Sequence, residues 1–172
     1  MPYCLAFVNS RRYPVRLAKG RSLLYTRRMY EVRVQADFSA AHFLRDYNGK
    51  CENLHGHNYK VFAHVRGGEL NEGGMLLDFT LLKGALKKVC AALDHTNLND
   101  NSFFEQNPSA ERIAVFIYNN IIQSLKEQGI DLSKKAGGTD ACAQDAGRTC
   151  PAYLCAVDVF ETDTSRARYI PD

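Results

Sequence analysis

The two histidines His55 and His57, separated by one residue, are the part of the sequence best suited to chemistry. In a β-strand, residues i and i+2 point to the same side, so both imidazoles can reach one point. His42 lies upstream, at the end of a second predicted strand that can pair with the first as a hairpin. Three neutral imidazoles with an open fourth position are the ligand set of a catalytic zinc ion. The sequence therefore predicts a Zn²⁺ site at His42, His55 and His57, with Gly56 allowing close backbone packing between two ligands.

Cys51, four residues before His55, has two roles open to it beside such an ion. As a fourth ligand it would close the site, whereas as a free thiolate it would serve as a base or a nucleophile. The residues alone do not choose between these roles. His64 has the opposite odd–even parity to His55 and His57, and we expect it to lie outside the site.

Four segments with strand-like patterns must position these residues. Alternation of apolar and polar residues with a period of two is typical of half-buried strands. It predicts strands over 30–42, 55–65, 153–161 and 166–170.

Two amphipathic helices separate the second strand from the third. Thr80 is the predicted N-cap of the first helix, and Ser109 that of the second, which should end near Gly129. The resulting order is strand, strand, helix, helix, strand, strand. This order predicts an α+β fold with two helices on one face of an antiparallel sheet.

Length and composition favour one soluble globular domain. The chain has 172 residues, of which 45% are hydrophobic and 24% charged, so a disordered or fibrous protein is excluded. No apolar run reaches the ~18–20 residues of a membrane span, so we expect no membrane partner.

Six cysteines without a Cys-x-x-Cys pair indicate reduced thiols and a cytoplasmic protein, although a bridge within Cys142, Cys150 and Cys155 is left open.

The basic residues are concentrated at the start of the chain. Seven of the 22 basic residues and none of the 19 acidic residues fall in residues 1–28, which leaves 15 basic and 19 acidic residues in 29–172. The mildly acidic body argues against a nucleic-acid-binding module. Residues 1–28 could be an organellar leader, a basic arm that binds nucleic acid or an extension upstream of a start at Met29. We favour a flexible extension, followed by a single domain over 29–172 with a flexible insertion at 134–151.

Five short segments follow one another along the chain in a specific order. They are Phe38-Ser39-Ala40-Ala41-His42, Cys51-x-x-x-His55-Gly56-His57-Asn58-Tyr59, Leu93-Asp94-His95-x-Asn97-Leu98-Asn99, Asn107-Pro108-Ser109-Ala110-Glu111 and Val159-Phe160-Glu161-Thr162. With these segments the chain resembles the 6-pyruvoyltetrahydropterin synthase / 6-carboxytetrahydropterin synthase family from Tyr30 to Tyr169. The resemblance implies the T-fold (tunnelling fold), a four-stranded antiparallel sheet with two antiparallel helices on one face, and a homohexamer.

The resemblance also implies roles for individual residues. It makes Cys51 the catalytic base and Asp94 with His95 a proton relay, which in a hexamer can serve the Cys51 of a neighbouring chain. Glu161 would anchor the pterin ring, since a carboxylate is a two-point acceptor for an amidine-like donor pair. The zinc site would acidify the side-chain hydroxyls of the substrate, 7,8-dihydroneopterin triphosphate.

Further substrate contacts are implied for Ser109 and Glu111, at the start of the second predicted helix. Three residues between Cys51 and His55 resemble the bacterial enzymes that form 6-carboxytetrahydropterin, acetaldehyde and triphosphate on the route to queuosine. The alternatives are 6-pyruvoyltetrahydropterin synthesis, a folate-branch lyase that uses a glutamate such as Glu52, and a non-catalytic zinc module. We favour an ordinary solvated role for Glu52.

Overall fold

The computed structural model describes the backbone of residues 11–15, 23–27, 29–133 and 150–172, with side chains for the last two ranges. Strands β1 (Arg11–Val15) and β2 (Leu23–Arg27) form an antiparallel pair. A four-stranded antiparallel sheet has the order β3-β4-β5-β6. Its strands are β3 (Tyr30–His42), β4 (His55–Gly67), β5 (Tyr153–Thr162) and β6 (Ser165–Tyr169).

Two α-helices lie between β4 and β5 in the chain, as predicted. They are α1 (Phe79–Leu93) and α2 (Ala110–Lys126), and they pack on each other, on β3 and on β5 and β6. Three short 3₁₀ turns occur in the connections, at Lys50–Glu52, Leu98–Asp100 and Ser102–Phe104. The predicted α+β architecture is confirmed, with strand limits that differ by at most two residues.

Alternation along the strands separates an apolar face from a polar one. In β3 the even-numbered residues from Val34 to His42 are buried, while the odd-numbered residues are exposed or half-buried. In β4 the same face carries His55, His57 and Tyr59. This face and the apolar sides of α1 and α2 enclose one core, since burial of apolar area drives their packing. The metal-ligand candidates therefore lie at one end of the core face.

The helix starts differ in how well they could be predicted. Ser109 caps α2, because its hydroxyl accepts the Arg112 N–H at 3.4 Å. The prediction of Thr80 as the N-cap of α1 was wrong: the cap is Asp78, whose carboxylate accepts the Thr80 N–H at 2.7 Å. The Asp78 carboxylate satisfies the backbone N–H of Thr80, and its negative charge interacts favourably with the positive end of the helix dipole.

The two predicted flexible segments lie largely outside the described residues. Within residues 1–28 the structure shows the short strands β1 and β2, and flexibility of this segment stays a prediction. Residues 134–149 of the predicted insertion, with Cys142, also lie outside. None of the helices in the described ranges combines the length and apolarity needed to span a membrane.

A row of alternating charges crosses the polar face of the sheet, with one residue from each strand. His64 on β4 has Glu31 on β3 at 3.1 Å from Nδ1 and Asp158 on β5 at 2.8 Å from Nε2. Arg168 on β6 donates two hydrogen bonds to Asp158, at 2.6 and 2.7 Å. His64 thus lies on the face opposite His55 and His57, as its parity predicts, and its role is to join strands.

Replacing Asp158 with asparagine should destabilise the fold by about 3 kcal/mol, because it removes the buried carboxylate partner of Arg168 and leaves His64 with Glu31 alone. Burial alone would raise the pKa of Asp158. The hydrogen bonds and charges of Arg168 and His64 together lower it by more, so the net shift of the pKa is downward. A carboxylate with a lowered pKa in the folded state stabilises the fold above its unfolded pKa, and this contribution is lost on acidification. The free energy of unfolding in urea should therefore fall below about pH 4 in the wild type and less steeply in the variant.

The matched control is Asp163→Asn, in which an exposed carboxylate loses its ion pair with Lys60. Exposed pairs contribute about 0–1 kcal/mol, so this variant should unfold almost like the wild type. Equal effects of the two substitutions would show that the charge row does not stabilise the sheet.

Candidate metal centre and surrounding site

Three histidines converge where β3 ends and β4 begins. The register of this hairpin pairs His42 with His55 and Ala40 with His57, so all three rings lie on the core face. The ring centroids are 4.5 to 5.2 Å apart, and one nitrogen from each ring lies within 4.8 Å of the others. The hairpin geometry predicted from the His-x-His spacing is therefore present.

Backbone carbonyls orient two of the three rings. Nδ1 of His42 lies 2.9 Å from the carbonyl oxygen of Pro108, and Nδ1 of His55 lies 2.8 Å from that of Asn53. A carbonyl only accepts, so each Nδ1 is the donor, and in a neutral ring the proton on Nδ1 leaves the lone pair on Nε2. Metal-binding histidines are commonly held in this way.

Nε2 of His42 shows that these residues fit a metal ion. The side chain is only 1% exposed, and this nitrogen is buried without a hydrogen-bond partner among the described residues. Burial lowers the pKa of His42, so the ring is neutral, as coordination requires. A divalent ion with an affinity for imidazole would satisfy the unpaired nitrogen.

Cys51 lies four residues before His55 in the chain and outside the histidine cluster. It occupies the 3₁₀ turn Lys50–Glu52, is half-buried and carries a free thiol. Its carbonyl accepts the Leu44 N–H at 2.8 Å, which closes the loop onto the end of β3. Among the described residues the possible ligand group contains the three histidines alone, so the arrangement favours a thiol that is not a ligand.

Glu52 shapes the loop that carries the thiol. One carboxylate oxygen accepts the N–H groups of Tyr47 and Asn48, at 3.1 and 3.0 Å. A carboxylate that accepts two backbone hydrogen bonds stabilises a turn. The structure thus gives Glu52 a loop-forming role.

Asp94 and His95 form a pair on the outer edge of β3. The backbone of Ser39 donates to Asp94 at 2.7 Å and accepts from the His95 N–H at 2.6 Å. Nδ1 of His95 lies 2.8 Å from Asp94, and the hydrogen bonds from Ser39 and His95 lower the pKa of Asp94. His95 is 82% exposed and lines, together with His57, a cavity of about 520 Å³. The backbone of Ser39 therefore positions Asp94 and the main chain of His95, while the His95 imidazole is accessible to solvent.

Glu161, on β5, reaches the histidine cluster. Its Oε1 lies 3.9 Å from Nε2 of His42, and its side chain is partly exposed. The Ser109 hydroxyl caps α2, and Glu111 is exposed in the first turn of that helix. No hydrogen bond or ion pair between described residues joins either side chain to the histidines. Their predicted substrate contacts remain predictions.

Sequence reasoning missed the backbone and amide groups that support the site. Asn99 exchanges hydrogen bonds of 2.9 Å with both backbone groups of Phe43 and donates to the Gln106 carbonyl, so it ties the end of β3 to the following loops. Pro108 orients His42 through its carbonyl. Asn99 and Pro108 both belong to the segments that carry the family resemblance, and this membership was the only sign in the sequence that they support the site.

The model of a family described as 6-pyruvoyl tetrahydropterin synthase matches residues 31–135, which is more than half of the chain. The chain is 34% identical over 146 residues to the 6-carboxy-5,6,7,8-tetrahydropterin synthase of Synechocystis, a match that covers 82% of this chain and 93% of that protein. It is 40% identical over 98 residues to the enzyme of the same name from Bacillus subtilis, covering 54% and 65%.

A solved structure of Caenorhabditis elegans 6-pyruvoyl tetrahydropterin synthase superposes with a TM-score of 0.62 at 24% identity, covering 84% of this chain and 96% of that one. At this identity the superposition shows the fold. The T-fold expected from the sequence resemblance is therefore confirmed.

Proposed function

Since the chain belongs to the 6-pyruvoyl tetrahydropterin synthase family, we propose that it is a zinc-dependent lyase acting on 7,8-dihydroneopterin triphosphate. The proposed products are 6-carboxy-5,6,7,8-tetrahydropterin, acetaldehyde and triphosphate, formed in the cytoplasm on the route to queuosine. The observation that carries the proposal is the three-histidine cluster, in which the buried Nε2 of His42 has no hydrogen-bond partner among the described residues. The names of the two bacterial relatives and the Cys51-x-x-x-His55 spacing support the carboxy branch.

Zinc is the proposed ion because three imidazole ligands with a position left for substrate are a common catalytic zinc set. His42, His55 and His57 would hold it through nitrogen atoms that lie within 4.8 Å of one another. When bound, the ion supplies Lewis acidity toward the two side-chain hydroxyls of the substrate. The burial of His42 restricts water on the core side of the site.

Cys51 and the Asp94–His95 pair are the proposed proton carriers. The thiol of Cys51 is free, half-buried and adjacent to the ligand strand, so it can take a proton from the substrate side chain. Asp94 fixes Nδ1 of His95, which leaves Nε2 to give or accept a proton. The hydrogen bond from Ser39 keeps Asp94 ionised for this purpose.

Glu161 is the proposed anchor for the pterin ring. Its two carboxylate oxygens can accept from the 2-amino group and the neighbouring ring N–H. Because one of these oxygens is 3.9 Å from Nε2 of His42, a ring bound here would present its side chain to the histidines.

A homohexamer with sites shared between subunits is part of the proposal. His95 is accessible at the edge of β3, and the loop around Cys51 exposes two large apolar side chains, Tyr47 and Leu54. Exposed apolar groups beside a site favour contact with another subunit. His95 of one chain would then serve Cys51 of its neighbour.

The proposed function is tested by incubating the zinc-loaded protein with 7,8-dihydroneopterin triphosphate and analysing the products by mass spectrometry, with and without a chelator. We expect acetaldehyde and 6-carboxytetrahydropterin with zinc and neither after chelation. Triphosphate loss without acetaldehyde would instead identify a 6-pyruvoyltetrahydropterin synthase. No turnover by a protein that has bound zinc would identify a non-catalytic module.

A further inference from the structure

Tyr59 is a buried polar side chain to which the proposed mechanism gives no task. Its ring stacks on Phe38 with centroids 4.6 Å apart and planes inclined by 12°, and the residue is 0% exposed. Its hydroxyl oxygen is buried and has no hydrogen-bond partner within the described part of the chain. Buried tyrosine hydroxyls normally have a partner, and phenylalanine would fill the same space without needing one. The hydroxyl, rather than the ring, therefore requires an explanation.

The position of Tyr59 places this hydroxyl next to the site. On β4 it follows His57 on the core face, and its ring centroid lies 5.5 Å from that of His57 and 6.0 Å from that of His42. A tyrosine hydroxyl is protonated at neutral pH, so it is available as a donor.

Glu161 and Tyr59 lie at the same end of the β4–β5 ladder. The ladder pairs the buried residues Val61 and Val159 and ends at Lys60 and Phe160, so Tyr59 and Glu161 are the next residues on the two strands and share the parity of the two valines. The rings of His42 and His57 also lie near Tyr59, and their site-facing nitrogens are the proposed metal ligands. The Glu161 carboxylate lies outside the ligand group, so it is an acceptor that metal binding would leave free.

The carboxylate can accept from Tyr59 and from a pterin at the same time. Two carboxylate oxygens offer about four lone-pair positions, and an amidine-like pair of donors uses one on each oxygen. Glu161 is too far from Nε2 of His42, at 3.9 Å, to be fixed by a hydrogen bond there. A donor from within the protein would restrict its orientation before the ligand arrives.

We propose that the Tyr59 hydroxyl donates a hydrogen bond to the Glu161 carboxylate and holds it in the orientation that binds the pterin ring. Tyr59 is then a positioning residue that acts through Glu161. This inference rests on the proposed function, because it assumes that a pterin binds at Glu161.

The test measures binding of neopterin, by its fluorescence, to the zinc-loaded wild type and to Tyr59→Phe. Removing one hydrogen bond to a charged acceptor should raise the Kd about 10-fold. The KM for 7,8-dihydroneopterin triphosphate should rise similarly, kcat should change by less than about 3-fold, and the zinc content should stay the same. Tyr169→Phe, on β6, is the matched control and should bind neopterin like the wild type.

A double-mutant cycle separates positioning from a general structural effect. In a Glu161→Gln background, Tyr59→Phe should cause no further loss of neopterin binding, because both substitutions disrupt the same interaction. Additive losses, an unchanged Kd in Tyr59→Phe, or a loss of zinc from it would each overturn the proposal. If the wild type binds no pterin at all, the proposed function fails instead.

A structure of the wild-type complex with neopterin provides a second test that does not depend on a variant folding. We expect the Tyr59 hydroxyl oxygen to lie about 2.5–2.8 Å from a Glu161 carboxylate oxygen. A separation beyond about 3.5 Å in that complex would overturn the proposal.

Discussion

Replacing His57 with alanine is expected to reduce the metal content from about one ion per chain to below about 0.1 after dialysis, and to abolish turnover. The substitution leaves two imidazole ligands, and structural and catalytic zinc sites normally use at least three protein ligands. The remaining ring nitrogens of His42 and His55 keep their orientation, because the Pro108 and Asn53 carbonyls do not depend on His57. Metal analysis by mass spectrometry measures the loss directly and independently of activity.

The matched control is His95→Ala, which removes an imidazole that is 82% exposed and outside the ligand group. It should keep its metal while turnover falls by about 10²-fold or more, because a proton relay is lost. Full metal content in His57→Ala would contradict the proposed ligand set.

Replacing Cys51 with alanine is expected to lower kcat by about 10³-fold while the metal content stays unchanged. The thiol is four residues from His55 in the chain and does not belong to the possible ligand group, so its loss should affect proton transfer and leave coordination intact. Kinetics with 7,8-dihydroneopterin triphosphate and metal analysis of the same preparation check both parts. Unchanged turnover would exclude Cys51 as the base, and loss of metal would identify it as a ligand.

Mixing Cys51→Ala with His95→Ala tests where the relay histidine comes from. If subunits exchange and each site combines Cys51 of one chain with His95 of another, about a quarter of the sites should contain both wild-type residues. Activity should then return to about a quarter of the wild-type level. If one chain supplies both residues, every site lacks one of them and the mixture should stay inactive.

Features with a sequence period could be predicted, whereas features that depend on distant partners could not. Alternation along β3 and β4 was enough to place His55 and His57 on one side of the sheet and His64 on the other. By contrast, the contact between His42 and the Pro108 carbonyl joins residues 66 positions apart, and it depends on tertiary packing that includes the Asn99 hydrogen bonds to Phe43 and Gln106. The predicted cap of α1 was also wrong, because the carboxylate of Asp78 accepts the Thr80 N–H at the start of this helix.

Buried charges were the least predictable part of the fold. His64 was expected to have no role in the site, and nothing in its immediate sequence indicated that Glu31 and Asp158 would enclose it. Both carboxylates come from neighbouring strands, so their arrangement depends on strand order and register. Glu52 contacts backbone N–H groups only four and five residues away, but its loop-forming role depends on a turn conformation that the residue types did not predict.

All three metal-ligand candidates lie in one hairpin, and this bears on how the chain would acquire the proposed metal ion. His42, His55 and His57 are complete before α1, α2, β5 and β6 have left the ribosome. Closing a short hairpin is fast, whereas the contact between His42 and Pro108 must wait for a long loop to close. During synthesis, a nascent chain could therefore capture its metal early, and the captured ion would fix the register of β3 and β4 against which the later elements dock.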